Sequence, residues 1–295
     1  RVKADPDLVV NLGFVALISS VVGARIFYVI HYWERFQGQG LWSIVNMTAG
    51  GLEFYGGFIG AFVACIAFLV WNRVSIRLYA DIIAPSLMFG MAAARIGCFL
   101  NGCCWGAPVK TNLPWAIQFP YSSPAQWRQW EERMMTLPAE LIVFNAMNES
   151  YPLPKDWVAA INDKKHQGGE RARQQARIFN LSPESLAAMT DSPSVRSLRV
   201  HPAQLYASLD GIVLAILLSV IFYRRKRHGV VFGWLLLLYP VCRIVEEIIR
   251  IDNPHDTAGL TISQFVSLMI LTVGMIWMVA ILRMPIRSPL AIPFV

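Results

Sequence analysis

Charged residues are scarce in this chain: they make up 15% of 295 residues, where an ordinary soluble domain carries about 25%. Hydrophobic residues reach 55% and are bunched into long runs, so lipid rather than water is the expected solvent for most of the molecule. Despite a net charge of +7, no basic face interleaved with aromatics is present. The cations sit at the ends of apolar runs and in one central stretch, which argues against nucleic acid and for anionic lipid head groups as partners. Internal repeats are missing, and the low-complexity signal is confined to the charged run at 163–177, read as a solvated helix. A starting methionine is missing too. The chain opens at Arg1 just before an apolar run, so a further upstream helix is expected and the lack of a signal peptide excludes nothing.

Crossing a bilayer takes about 20 mostly apolar residues in a helix. Six segments meet that length: 8–30, 52–71, 78–100, 203–223, 229–250 and 260–282. The expected fold class is an all-α integral membrane protein with six spans here and seven in a full-length chain. Residues 1–106 and 203–295 form its membrane helices, and 107–202 form an inserted head. Arg1, Lys3, Arg73, Arg77, the Arg224 to Arg227 cluster, Arg283 and Arg287 fall at alternate ends of these spans. Placing all of them in the cytoplasm satisfies the bias of short-loop Lys and Arg. The opposite ends, with Gly50, Gly51, the Asn101 to Gly106 turn, the 107–202 insert and the Asp252 to Gly259 loop, are then outside. The insert is itself rich in Lys and Arg, but long loops are translocated largely regardless of charge. Pro108, Pro114, Pro120 and Pro124 break its first part, and helix-compatible stretches follow near 125–148 and 155–180.

Charges inside the spans carry the functional signal. Tyr239, Arg243, Glu247 and Arg250 are spaced four, four and three apart and line one helical stripe. A charge at membrane depth costs a few kcal/mol even on lenient scales, so it faces a bundle interior or a wet cavity and has a partner. An interhelical clamp without chemistry is the plain reading of that stripe. Three other spans add to the same layer: Arg25, Tyr28 and Tyr32 in the first; Arg95 in the third; His201, Gln204 and Ser208, with Tyr206 and Asp210 beside them, in the fourth. A single clamp explains four helices poorly. Arginines converging in a low-dielectric cleft suit an anion with planar or tetrahedral oxygens, because guanidinium donates forked hydrogen bonds; in a membrane cavity that anion is a phospholipid phosphodiester. Gathering at one face argues against a transport path across the membrane. Glycines at 50, 51, 56, 57, 60, 97, 102 and 106 permit close helix approach or a broken cavity lining; plain helix packing is the simpler reading near Gly60.

Several segments form an ordered set. Gly51 to Gly60, reading GLEFYGGFIG, resembles the G-G-x-S-F-H-G-G-x-x-G segment of the bacterial prolipoprotein diacylglyceryl transferases. Arg95 to Gly106, RIGCFLNGCCWG, is similar to that family's R-x-G-N-F-x-N-x-E-x-x-G. The segment from His201 to Tyr206 matches H-P-x-Q-L-Y, and that from Tyr239 to Arg250 matches Y-x-x-x-R-x-x-x-E-x-x-R. Ile262 to Ser267 resembles M-G-Q-x-L-S, and Gly23, Arg25 and Tyr28 are compatible with the first span. The likeness does not extend into much of the insert.

This resemblance implies transfer of a diacylglyceryl group from phosphatidylglycerol to the lipobox cysteine of a preprolipoprotein, in the bacterial inner membrane with the site on the extracytoplasmic side. Arg95 and Arg243 are then expected to hold the phosphate, with Glu247 and Arg250 orienting Arg243. Tyr239 bonds in the same pocket, and Asn101 and Gly106 shape the turn at its mouth. Arg25, Tyr28, Gln204 and Tyr206 are expected on the substrate side. The position of the family's histidine is Tyr55 here, a poor base at neutral pH with a reference pKa of about 10. His201, in the H-P-x-Q-L-Y segment, is the remaining histidine candidate, with a helix-start role equally open. The alternative is a lipid-binding accessory protein that keeps the pocket and lacks turnover.

Cys98, Cys103 and Cys104 crowd one helix end, while Cys65 and Cys242 lie within spans as buried thiols. Outside the cytoplasm a Cys98–Cys103 disulfide could stiffen the turn, and a redox or acyl-accepting role is open. A metal site wants four ligands at recognisable spacing, so no metal or cofactor is expected.

Overall fold

The computed structural model describes residues 4–38, 40–47, 50–145, 147–163, 165–250, 259–288 and 290. The expected Arg1 and Lys3 charges and nearly all of the Asp252 to Gly259 loop lie outside these. In chain order come α1 (Pro6–His31), α2 (Leu41–Val45), α3 (Phe54–Trp71), α4 (Ile76–Asn101), α5 (Pro124–Glu131), a two-stranded hairpin of β1 (Ile142–Phe144) and β2 (Ser150–Pro152), then α6 (Lys155–Ala159), α7 (Gln167–Ile178), α8 (Pro183–Asp191), α9 (Ala203–Arg224), α10 (Val230–Ile248) and α11 (Ile262–Arg283). Among them α1, α3, α4, α9 and α11 are long and apolar enough to cross a membrane. The α10 helix has 19 residues but carries Arg243, Glu246 and Glu247 in its second half.

Helix starts follow local chemistry. Asp5 accepts the Asp7 N–H at 2.9 Å ahead of Pro6, and Ser123 and Ser182 do the same ahead of Pro124 and Pro183. The side chain relieves an orphan donor, and proline loses nothing where its N–H would be orphaned anyway. Thr261 and Gln264 form a reciprocal capping box at α11, bonding each other's backbone N–H at 3.1 and 3.2 Å.

The chain divides into two compact units. The first comprises residues 1–85, 218–235 and 274–295. In it α1 packs on α3 through glycines: a Cβ on Gly23 would meet the Gly56 carbonyl at 2.4 Å, and one on Gly60 would meet the Ser19 carbonyl at 2.7 Å. Small residues let the backbones touch where lipid offers no hydrophobic drive, so the packing reading of the Gly60 end is the one realised. A second knot joins α4 to α10. Asp81, fully buried, accepts the N–H groups of Gly229 at 2.8 Å and Phe232 at 3.0 Å and pairs with Arg225 Nε at 3.0 Å. A carboxylate at a helix N-terminus takes orphan donors and the favourable end of the dipole together. Next to it, buried His228 accepts the Ser288 N–H at 3.2 Å. Burial, and then the charges of Arg225, Arg77 and Arg287, push its pKa below the usual histidine value.

The second unit comprises 86–217 and 236–273 and contains the insert. The insert has its own apolar core of Tyr121, Leu137, Leu141, Val143, Leu153, Val158, Ile161, Ala172, Ala176, Leu186 and Val195. Tyr121 donates to the Leu153 carbonyl at 2.7 Å, and Gln175 Nε2 bonds the Ile142 carbonyl at 2.8 Å. The helix expected from 125 to 148 stops at Glu131. Arg133 turns into the left-handed region at φ 59°, Pro138 follows without an N–H to continue a helix, and Ile142 and Val143 enter the hairpin that β-branched residues favour. Most of the run at 163–177 lies in α7, with Ala172, Gln175 and Ala176 buried on one face and Arg171 and Arg177 exposed, while Arg173 folds inward to donate to the Ile161 carbonyl.

Candidate active site

In the second unit, Arg95 and Met91 of α4, Ala207, Asp210, Gly211 and Leu214 of α9, and Tyr239, Cys242 and Glu246 of α10 line a cavity of about 10 Å³, roughly room for one water. Arg95 is half-buried there, yet among the described residues it has neither an ion-pair partner nor a hydrogen-bond acceptor. An arginine kept part-way inside a membrane helix with its donors unspent is configured for an anion that arrives later.

Arg243 lies one turn beyond Tyr239 and is held from two sides. Its Nη2 reaches Glu247 Oε2 at 2.9 Å and donates to Ser263 Oγ at 2.9 Å, while Nη1 lies 3.6 Å from Glu246 Oε2. Glu247 is 3% exposed and accepts the Thr261 hydroxyl at 2.8 Å, so the start of α11 positions the carboxylate that positions the guanidinium. The Arg250 N–H closes the turn on the Glu247 carbonyl at 3.2 Å. Glu247 and Arg243 are in direct contact, and Tyr239 lines the cavity with Arg95, whereas Arg243, expected in the same pocket, is not among the lining residues.

A second group surrounds the 101–107 turn. Gly106 donates to the His201 carbonyl at 3.0 Å, His201 N–H returns to the Ala107 carbonyl at 3.1 Å, and Gln204 Nε2 bonds the Cys103 carbonyl at 2.6 Å. A Cβ on Gly106 would come within 2.9 Å of His201, which is why glycine stands there. The His201 ring lies 3.4 Å from the Tyr206 hydroxyl, which also accepts the Trp115 indole N–H at 2.8 Å. The His201 and Gln204 contacts therefore build the turn. Asn101 is exposed at the end of α4.

The remaining expected residues belong to the first unit. Arg25 is 7% exposed and donates to the carbonyls of Ser43 and Ile44 at 2.7 Å and of Gly50 and Gly51 at 3.0 Å. Four of its five N–H groups are spent on backbone, so its role is to hold the 43–51 segment rather than to meet a lipid. Tyr28 packs against Gly51, where a Cβ would clash with its ring at 2.5 Å. Tyr55 is 49% exposed, with the Phe54 ring 5.8 Å away.

Glu246 and Asp81 went unremarked in the sequence, and Cys242 read there only as a buried thiol. Tyr239, Cys242 and Glu246 follow an i, i+3, i+7 pattern and share the helix face that lines the cavity; following only the four-residue steps through Arg243 and Glu247 leaves that face out. A lone aspartate inside an apolar run was the available signal for Asp81. All five thiols are free, Cys65 and Cys242 as expected, and the Cys98–Cys103 bridge that the sequence left open is not formed.

A sequence profile of the prolipoprotein diacylglyceryl transferases matches residues 1–280. Among curated proteins, the chain is 26% identical to the phosphatidylglycerol–prolipoprotein diacylglyceryl transferase of Rhodopirellula baltica, over 94% of this chain and 66% of that one. Against the same-named protein of Pectobacterium carotovorum identity is 29%, over 96% and 81%; against that of Bdellovibrio bacteriovorus it is 25%, over 90% and 77%. The chain thus spans about two thirds to four fifths of the length of these relatives. With the profile covering nearly all of its residues, the chain belongs to the prolipoprotein diacylglyceryl transferase family.

Proposed function

We propose that this chain transfers the diacylglyceryl group of phosphatidylglycerol to the thiol of a lipobox cysteine in a preprolipoprotein, with glycerol phosphate as the leaving group. The unspent guanidinium of Arg95 beside Tyr239 carries the reading. In the reaction a sulfur–carbon bond forms at the glycerol carbon and the carbon–oxygen bond to phosphate breaks, its electron pair leaving on the phosphate. That oxygen gains charge in the transition state, so a donor waiting unpaired is worth more than one already neutralised. Arg243, held by Glu247 and Ser263, supplies a second, rigid cation on the neighbouring turn of α10.

The membrane arrangement follows the same reading. The α10 helix is the fifth of six spans in this chain, its charges tolerated because they face one another and a cavity. The Lys and Arg clusters lie in the cytoplasm, and the insert with the 101–107 turn lies outside the inner membrane. The test is a purified assay with labelled phosphatidylglycerol and a lipobox peptide. Arg95→Ala and Arg243→Ala should each lower transfer more than about 100-fold, the scale for losing one oxyanion donor; Arg95→Ala should melt normally, whereas Arg243→Ala strands buried Glu247 and is read beside Arg243→Lys, which keeps the charge. Transfer retained by both variants overturns the proposal, as does a wild-type protein that binds the lipid and never labels the peptide.

A further inference from the structure

The transfer reaction as drawn above leaves one chemistry-bearing cluster unused: the three cysteines where α4 ends. The backbone is built to gather them. Gly102 turns the chain at φ 75° and donates to the Phe99 carbonyl at 3.1 Å, and Cys103 N–H closes on the Cys98 carbonyl at 3.1 Å. Cys104 then takes φ 59°, a left-handed conformation that costs a non-glycine residue about 1 kcal/mol. Buried Gln204 fixes the turn from α9 through the Cys103 carbonyl at 2.6 Å. The result is that the Sγ atoms of Cys98, Cys103 and Cys104 lie within 4.8 Å of one another, all three thiols free and half-buried.

A disulfide needs two sulfurs; three that converge on one point make the donor set of a thiophilic ion. Sulfurs around a tetrahedral zinc at about 2.3 Å stand about 3.8 Å apart, so side-chain rotations of about 1 Å close the widest gap. Among the described residues no fourth histidine, cysteine or carboxylate joins the group. Three protein ligands and one free position is the pattern of catalytic rather than structural zinc.

We propose that Cys98, Cys103 and Cys104 bind a zinc-class ion with an open fourth position, and that this position receives the acceptor thiol of the transfer reaction. The second half rests on the transferase reading above. The chemistry fits what the site otherwise lacks. The nucleophile must be a thiolate, Tyr55 is half-exposed with no hydrogen bond among the described residues and His201 is engaged with Tyr206, whereas a thiol that coordinates a metal ion is deprotonated outright. Cys98 follows Arg95 by three residues, about 4.5 Å along the same helix, which sets the coordinated sulfur close to the guanidinium that takes the phosphate. The acceptor S–H displaces water from the ion and gives its proton to that water. The sulfur bonds to the glycerol carbon as the carbon–oxygen bond breaks, the electron pair leaves with the phosphate, and the neutral thioether, a weaker ligand, yields its place to water. The ion's oxidation state does not change.

The test uses the full chain purified in detergent under reducing, anaerobic conditions. After equilibration with buffered Zn²⁺, wild type and Cys65→Ser should retain about one equivalent, and Cys98→Ser, Cys103→Ser and Cys104→Ser should each lose it, with unchanged melting showing that the variants fold. With Co²⁺ in place of Zn²⁺, the thiolate-to-metal absorption should shift when a lipobox peptide is added and stay put when serine replaces the peptide cysteine. Equal metal content in all variants, or a disulfide among these three cysteines in protein isolated without reductant, overturns the site. Full transfer by protein stripped with a chelator overturns its role and leaves the transferase reading standing. Bound zinc with the peptide-dependent cobalt shift, but no transfer, upholds the site and defeats the transferase reading instead.

Discussion

Arg25 and Arg95 are both arginines inside long apolar helices, and their surroundings are opposite. Arg25 spends four N–H groups on backbone carbonyls of one segment, whereas Arg95 lines a cavity with the carboxyl groups of Asp210 and Glu246 and makes no hydrogen bond or ion pair among the described residues. The same side chain at a similar cost of burial is a folding element in the first case and a reserved binding group in the second. What separates them is whether the fold itself satisfies the charge, since an ionised group left unsatisfied in a low-dielectric interior is retained against a stability cost.

The largest effect expected from this contrast is on the folding side. Arg25→Ala strands four carbonyls and should destabilise the protein by about 3–5 kcal/mol, seen as a lower melting temperature and early proteolysis near residues 43–51; Arg95→Ala, removing nothing that the fold uses, should leave melting within about 0.5 kcal/mol of wild type. A larger loss from Arg95→Ala than from Arg25→Ala would break the comparison. Next, Asp81→Ala leaves Arg225 buried without its counter-charge and two N–H groups uncapped, for about 3–4 kcal/mol; chemical denaturation of the single variant and of Asp81→Ala with Arg225→Leu checks it, the double variant recovering part of the loss.

A smaller effect sharpens the description of the second unit. Thr261→Val removes the hydroxyl on Glu247 and half of the α11 capping box, and should cost about 1–2 kcal/mol while lowering transfer less than Arg243→Ala does. Equal loss of transfer would mean that Arg243 has no role beyond its position. The smallest is a pH effect. The folded pKa of His228 lies below its unfolded value of about 6.5, so the unfolded chain binds the proton more readily. The stability this group contributes is complete above that value and is lost as pH falls through the folded pKa. His228→Gln should flatten the acid limb of a melting-temperature profile between about pH 7 and 5.

Much of the site was legible in the sequence because a charge in a membrane helix is rare and cannot be hidden. Arg95, Tyr239, Arg243 and Glu247 stand out for that reason; the structure puts Arg95 and Tyr239 on one cavity and pairs Arg243 with Glu247 beside it on α10. Arg25 stood out equally, and nothing in its spacing distinguishes a guanidinium satisfied by carbonyls from one left open, since those carbonyls lie 18 to 26 residues away. Residue spacing likewise argued against metal at Cys98, Cys103 and Cys104, because ligand templates count positions along the chain while a left-handed turn at Cys104 can fold neighbours onto one point.

By itself the sequence determined the helices and their solvent, since length and hydrophobicity decide what can cross a bilayer and local capping decides where a helix starts. It also determined which charges must matter. Only the tertiary structure decided which of those charges are already spent. Helix α11 supplies the Thr261 and Ser263 contacts to the α10 network, and the 43–51 segment, not a ligand, fills the reach of Arg25. The physical reason is that hydrogen-bond satisfaction is a property of pairs distant in the chain, and no periodicity along one helix encodes the partner on another.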